Sequence, residues 1–192
     1  RELVKRYQRR EVSFQGVEVY SLDEFYPIKA TEQQSRNYRI HEDFLSHVDI
    51  KPENVHIIDG SVPVEKVSEY CAEYDHMARN IDLMVIGFGI QGQIGFNEPG
   101  SYAKSISRMV QLTYQSRKAQ AGLFFGIENT PKMAITMGLN TVMNAKKIVI
   151  MAWGEDRAEI VRKVVEGDAT PLIPASMLQN PVSYTHLRAH ET

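Results

Sequence analysis

An α/β fold with a mainly parallel sheet and helices on both faces is what this sequence predicts, on three observations. Strand-like and helix-like segments alternate along the chain, the pattern that layers helices on a parallel sheet. Residues 81–86 (IDLMVI) and 147–152 (KIVIMA) are short and rich in apolar, often β-branched residues; the second run is nearly continuous, as a strand covered on both faces requires. Residues 155–167 space Ile160, Val161, Val164 and Val165 for one buried helical face and stop at Gly167.

The 192 residues are 43% hydrophobic and 24% charged, enough for one globular domain with a sizeable core and no internal repeat. A formal charge of -2 gives no basic field for nucleic acid or an anionic membrane, and no apolar run reaches transmembrane length. The expected partner is therefore a small molecule, not a nucleic acid or a membrane. The single cysteine, Cys71, excludes an internal disulfide framework and suits a cytoplasmic setting. The domain is expected over residues 1–181, incomplete at both ends. Residues 182–192 (VSYTHLRAHET) read as a non-native, adaptor-derived tail. His186 and His190 fall in that tail, and His41, His47 and His56 have no spacing to carboxylates or cysteines, so no metal is expected.

In order, residues 1–10 (RELVKRYQRR) read as the end of an amphipathic helix, and a turn through Gly16 leads to a strand over 17–20. That strand delivers SLDEFY, which sets Asp23 and Glu24 at a strand end; acidic pairs in loops are ordinarily just solvated. Residues 33–48 have helical periodicity through Tyr38, Ile40, Phe44, Leu45 and Val48, and Pro52 and Gly60 bracket a short strand. Pro63 opens a helix over 64–78 with Val67, Tyr70, Cys71 and Tyr74 on one stripe.

The strand over 81–86 runs into Gly87, Gly89 and Gly92, three glycines that let the backbone turn tightly and approach a ligand. Gln91, Gln93, Asn97 and Glu98 follow, at the carboxyl end of a strand, where open α/β sheets bind their ligands. Strands over 131–136 and 147–152 come next, the latter ended by Trp153 and Gly154. Arg157 then falls in the first turn of a helix, where unpaired N–H groups and a cationic side chain together suit an anion.

The stretch GFGIQGQIGFNEPGS resembles the signature of the glucosamine-6-phosphate deaminase family, and SLDEFY resembles that family's NMDEY motif. The resemblance implies a Rossmann-like fold and conversion of glucosamine 6-phosphate to fructose 6-phosphate and ammonia. In the family, an Asp, a His and a Glu form a ring-opening relay; the corresponding positions here hold Gln91, Gln93 and Glu98. Amides hydrogen-bond but do not exchange protons near neutral pH. Asp23 matches the carboxylate that moves the C2 proton, and Arg157 stands where a family lysine binds the substrate phosphate. Glu24, Gly89 and Asn97 are also expected to bind substrate. A family arginine is replaced by Gly122, with Arg117 nearby as a weaker candidate for its role. The family's glycine-rich phosphate loop is expected before Arg1. The resemblance further implies an amino sugar phosphate as partner, a homo-oligomer, and no cofactor, because a carbonyl or imine already acidifies the neighbouring C2 proton. Two alternatives stand beside this reading. A non-catalytic sugar-phosphate sensor would explain the two glutamines, and a phosphosugar lactonase of the same superfamily is disfavoured by the DEFY and FNEPGS motifs.

Overall fold

The structure, a computed structural model, describes residues 1–179 and the backbone of 185–190. In chain order come α1 (Glu2–Gln8), β1 (Val19–Tyr20), β2 (Asp23–Tyr26), α2 (Arg36–Asp43), β3 (Val55–His56), α3 (Val67–Met77) and β4 (Met84–Gly87). They are followed by β5 (Arg108–Gln111), α4 (Tyr114–Gln120), β6 (Met133–Thr136), α5 (Leu139–Met143), β7 (Ile148–Trp153), α6 (Ala158–Glu166) and β8 (Thr185–His190). Alternating helices and parallel strands make this the α/β fold expected. The strands form three small sheets: β1 parallel to β3, a sheet of order β2-β6-β5, and a parallel sheet of order β4-β7-β8. The side chains of the expected tail, 182–192, lie outside the described residues.

The chain divides into two compact units: Arg1–Pro63 with Gln111–Ile135, and Val64–Val110 with Thr136–Thr192. In the first, Phe25, Ile28, Leu45 and Ile58 are buried apolar anchors. The predicted helix over 33–48 is shorter than its periodicity. Ser35 caps α2 by accepting the Tyr38 N–H, and Phe44, at φ −146°, ends it. A 3₁₀ turn, Leu45–His47, then carries the rest of the apolar pattern. SLDEFY also departs from expectation, because Asp23–Tyr26 is itself strand β2, separated from β1 by Ser21 and Leu22.

In the second unit the register Met84↔Ile148 and Ile86↔Ile150 aligns the buried residues of β4 and β7 on one face. Successive strand residues point to opposite faces, so Val85, Met151 and Trp153 fall on the other face. There Val85 is 52% and Trp153 62% exposed. The apolar runs therefore mislead on one point: among the described residues this sheet is covered on one face, not two. Helix α3 buries Val67, Cys71 and Tyr74 of its predicted stripe, and α6 buries Ile160 and Val164, while Val165, expected on the same face, is exposed.

Candidate active site

The site residues fall in both units, and each group has its own geometry. In the first unit Asp23 and Glu24 are neighbours on β2 with different surroundings. Glu24 is 1% exposed and accepts four hydrogen bonds: from the Phe25 N–H (2.8 Å) and Arg36 N–H (3.0 Å) at Oε1, and from the Ser35 hydroxyl (2.7 Å) and Asn37 N–H (2.9 Å) at Oε2. Two of these donors are otherwise unpaired N–H groups of the first turn of α2, where an anion is also favoured by the helix dipole. These four contacts hold β2 to the start of α2.

Asp23 is differently placed, with its side chain 13% exposed and Oδ1 3.3 Å from Arg36 Nε. Burial pushes its carboxyl above the usual 3.8, against the cation of Arg36, which pulls it down, and with the charge of Glu24, which pushes it up further. Arg36 itself lies over the Phe25 ring at 4.9 Å, and Phe25 meets Phe124 edge-on at 4.8 Å. A carboxylate of raised basicity, held against a fixed guanidinium, is suited to taking a proton from carbon. Sequence reasoning passed over Ser35 and Arg36; a serine opening an apolar-periodic stretch was the available signal for the first.

In the second unit β4 ends at Gly87 and the chain turns back on itself. The Gly89 N–H donates to Gln93 O at 2.9 Å, and the Gly92 N–H to Gly89 O at 2.8 Å. Gly92 has φ +72°, and a Cβ there would lie 2.5 Å from Ile173 Cγ2. The room left by Gly89 is filled from within, since a Cβ there would lie 2.2 Å from Gln93 Cδ. Gln93 Oε1 also accepts the Gln91 N–H at 3.0 Å, so the Gln93 amide is folded onto its own loop.

Asn97 is 0% exposed, and both ends of its amide are taken. Nδ2 donates to Ile94 O (3.0 Å) and Met137 O (2.8 Å), while Oδ1 accepts from Arg108 Nη1 (3.0 Å). Asn97 ties the loop down, and Glu98, the next residue, is buried beside it.

Arg157 closes a 3₁₀ turn, Glu155–Arg157, and stands at the N-cap of α6. Its Nη1 donates to the carbonyl of Phe88, at the start of the glycine turn, and its Nε lies 3.9 Å from Asp156. Helix start, guanidinium and glycine turn thus adjoin within one unit, a combination that suits an anion. Arg117 does not stand free in solvent: it donates to Ile127 O at 2.6 Å and Thr130 O at 3.2 Å, bracing the loop after α4. Among the described residues no group of three or more His, Cys, Asp or Glu is placed to hold a metal, and no helix is long and apolar enough to cross a membrane.

Comparison with known proteins places this geometry. Residues 1–187 match the family described as glucosamine-6-phosphate isomerases/6-phosphogluconolactonase. A glucosamine-6-phosphate deaminase of Thermoanaerobacter sp. is 38% identical over 181 residues, 93% of this chain and 71% of that protein. A deaminase-like protein of Bacteroides thetaiotaomicron is 38% identical over 192 residues, of which this chain spans 28% of the length. Among solved structures, a monomeric glucosamine-6-phosphate deaminase superposes with a TM-score of 0.92 at 32% identity, covering 98% of this chain and 78% of that one. The monomeric state of that protein lends no support to the expected homo-oligomer. A 6-phosphogluconolactonase from Thermotoga maritima, at 18% identity and TM-score 0.70 over 97% of this chain and 79% of its own, shares the fold. With nearly its whole length matched, the chain belongs to the glucosamine-6-phosphate isomerase/6-phosphogluconolactonase family.

Proposed function

We propose that this protein is a glucosamine-6-phosphate deaminase, converting glucosamine 6-phosphate to fructose 6-phosphate and ammonia. The observation that carries the reading is Asp23, a carboxylate largely removed from water, with raised proton affinity and a fixed cationic neighbour. After ring opening, Asp23 takes the proton from C2, made acidic by the adjacent C1 carbonyl, and returns it to C1. The nitrogen is then left on C2 as an imine, which water hydrolyses to the ketone and ammonia. Glu98 assists ring opening, and Arg157 holds the phosphate. The lone Cys71 thiol, buried and pushed up to about 11, suits work in the cytoplasm, where it stays reduced and inert.

A second reading, a non-catalytic sensor of the same sugar phosphate, is favoured by one observation: Gln93 spends its side-chain oxygen on the Gln91 N–H. One experiment separates the two. The deaminase reading predicts slow ammonia release from glucosamine 6-phosphate by the full-length protein, raised by the double change Gln91→Asp and Gln93→His toward the 10²–10⁴-fold typical of a positioned proton shuttle. Binding of the sugar phosphate with no ammonia released, by parent and double variant alike, leaves the sensor and removes the enzyme.

A further inference from the structure

We propose that Arg108 is a positioning residue for Glu98: its guanidinium ties Asn97 to Ser101 across the turn between them and so fixes the intervening carboxylate. The inference rests on the deaminase reading, in which Glu98 serves ring opening.

The geometry is a clamp. Arg108 Nη1 donates to Asn97 Oδ1 at 3.0 Å and to Ile106 O at 3.1 Å, while Nη2 reaches Ser101 Oγ at 3.3 Å. Glu98 lies between these two anchors in sequence. The turn is held from its backbone as well, because the Asn97 N–H donates to Ile94 O, Ser101 N–H to Glu98 O and Gly100 N–H to Pro171 O, all within 3.0 Å. A planar fork can reach two acceptors four residues apart with a fixed angle between its bonds, which a single ammonium cannot do.

The arginine is itself held in place. Ser107, the residue before it, donates its N–H (2.8 Å) and hydroxyl (2.6 Å) to the Asp75 carboxylate on α3, which also accepts from Thr141 Oγ1 at 2.6 Å on α5. Ser107 Oγ in turn accepts the Gly138 N–H at 3.2 Å. A chain of contacts therefore runs from two helices through Ser107 and Arg108 to Asn97 and the turn holding Glu98. Removing the guanidinium from water lowers its proton affinity, a penalty that an exposed cation avoids.

The test uses two substrates and the full-length protein. One is glucosamine 6-phosphate, which must be opened. The other is a 4,5-dideoxy-2-amino aldehyde 6-phosphate that cannot cyclise, followed by exchange of its C2 proton with deuterated solvent. Arg108→Met is expected to lower kcat for ammonia release from the cyclic sugar by about 10-fold to 10²-fold, the effect of a small misplacement of a reacting group, with KM little changed. Exchange on the acyclic analogue, which needs Asp23 and not Glu98, is expected to continue at the parent rate and reports that the fold is intact. Should Arg108→Met not fold, Arg108→Lys carries the test, keeping the charge while losing the two-pronged contact; it is expected to show the same substrate split at smaller size. Equal loss on both substrates, or no loss on the cyclic one, overturns the positioning role and leaves the deaminase reading standing. A parent protein that releases no ammonia and exchanges no proton removes the deaminase reading and this inference with it.

Discussion

Asp23 has lost most of its water, and what it receives in return is one guanidinium contact at 3.3 Å. Its carboxyl accordingly titrates above the ordinary 3.8, with burial as the largest cause. Between 3.8 and that raised value the folded chain keeps a proton that the unfolded chain has released, so stability falls as pH rises through this window and stays lower above it. Asp23→Asn, which removes the buried charge, is therefore expected to unfold at a higher temperature than the parent at neutral pH. The two midpoints should converge below pH 3.8, where the parent carboxyl is protonated as well. The same substitution should abolish C2 proton exchange. Thermal melts across pH check the first claim, and an equal gap at all pH values would show that the charge is not its source. Arg157 permits a simpler test. Its side chain donates to the Phe88 carbonyl beside the glycine turn and faces Asp156 through Nε. Phosphate affinity measured by calorimetry on full-length Arg157→Ala should weaken by about 1.5–3 kcal/mol, the range for hydrogen bonds to charged groups. Unchanged affinity would move the anion elsewhere.

At the scale of elements, β2 and α2 are joined through one side chain. Glu24 satisfies the Arg36 and Asn37 N–H groups and the Ser35 hydroxyl at the start of α2, besides the N–H of Phe25. Glu24→Gln keeps the shape but turns an amide NH₂ toward N–H donors. It is expected to destabilise the chain by about 1.5–3 kcal/mol in urea unfolding, and to loosen Arg36, whose backbone it holds. A loss close to zero would mean that Ser35 alone caps the helix. This junction also marks what could be read from the sequence. The acidic pair in SLDEFY was visible, but that Glu24 is taken up by the start of α2 while Asp23 meets the Arg36 side chain depends on contacts that no local spacing encodes. Asn97 shows the same limit. Its partners Arg108 and Met137 lie 11 and 40 residues away. Helices α3 and α6 were legible because a 3.6-residue apolar stripe is a local signal, as the strand positions of β6 and β7 were from short apolar runs.

For the molecule as a whole, the feature that local patterns could not supply is, among the described residues, the open face of β4 and β7. Apolar residues on both sides of β4 and β7 foretold a strand pair covered twice, and parallel sheets are ordinarily covered on both faces. Yet Leu83, Val85, Met151 and Trp153 are exposed while Met84, Ile86, Ile148 and Ile150 are buried. Contiguous exposed apolar surface of this kind promotes association and takes up hydrophobic dyes. The 192-residue chain is therefore expected to bind such a dye and to sediment as larger species as its concentration rises. The single tryptophan, Trp153, at 62% exposure, should emit at a long wavelength and be quenched readily by acrylamide in dilute solution. Val85→Thr with Met151→Thr places β-branched residues suited to strands at both positions while making that face polar. The pair should lower dye binding and concentration-dependent sedimentation together, with little change in the unfolding midpoint because neither side chain is in the core. If both signals persist undiminished in the double variant, the association arises from another surface, and the open sheet face is not what holds the copies together.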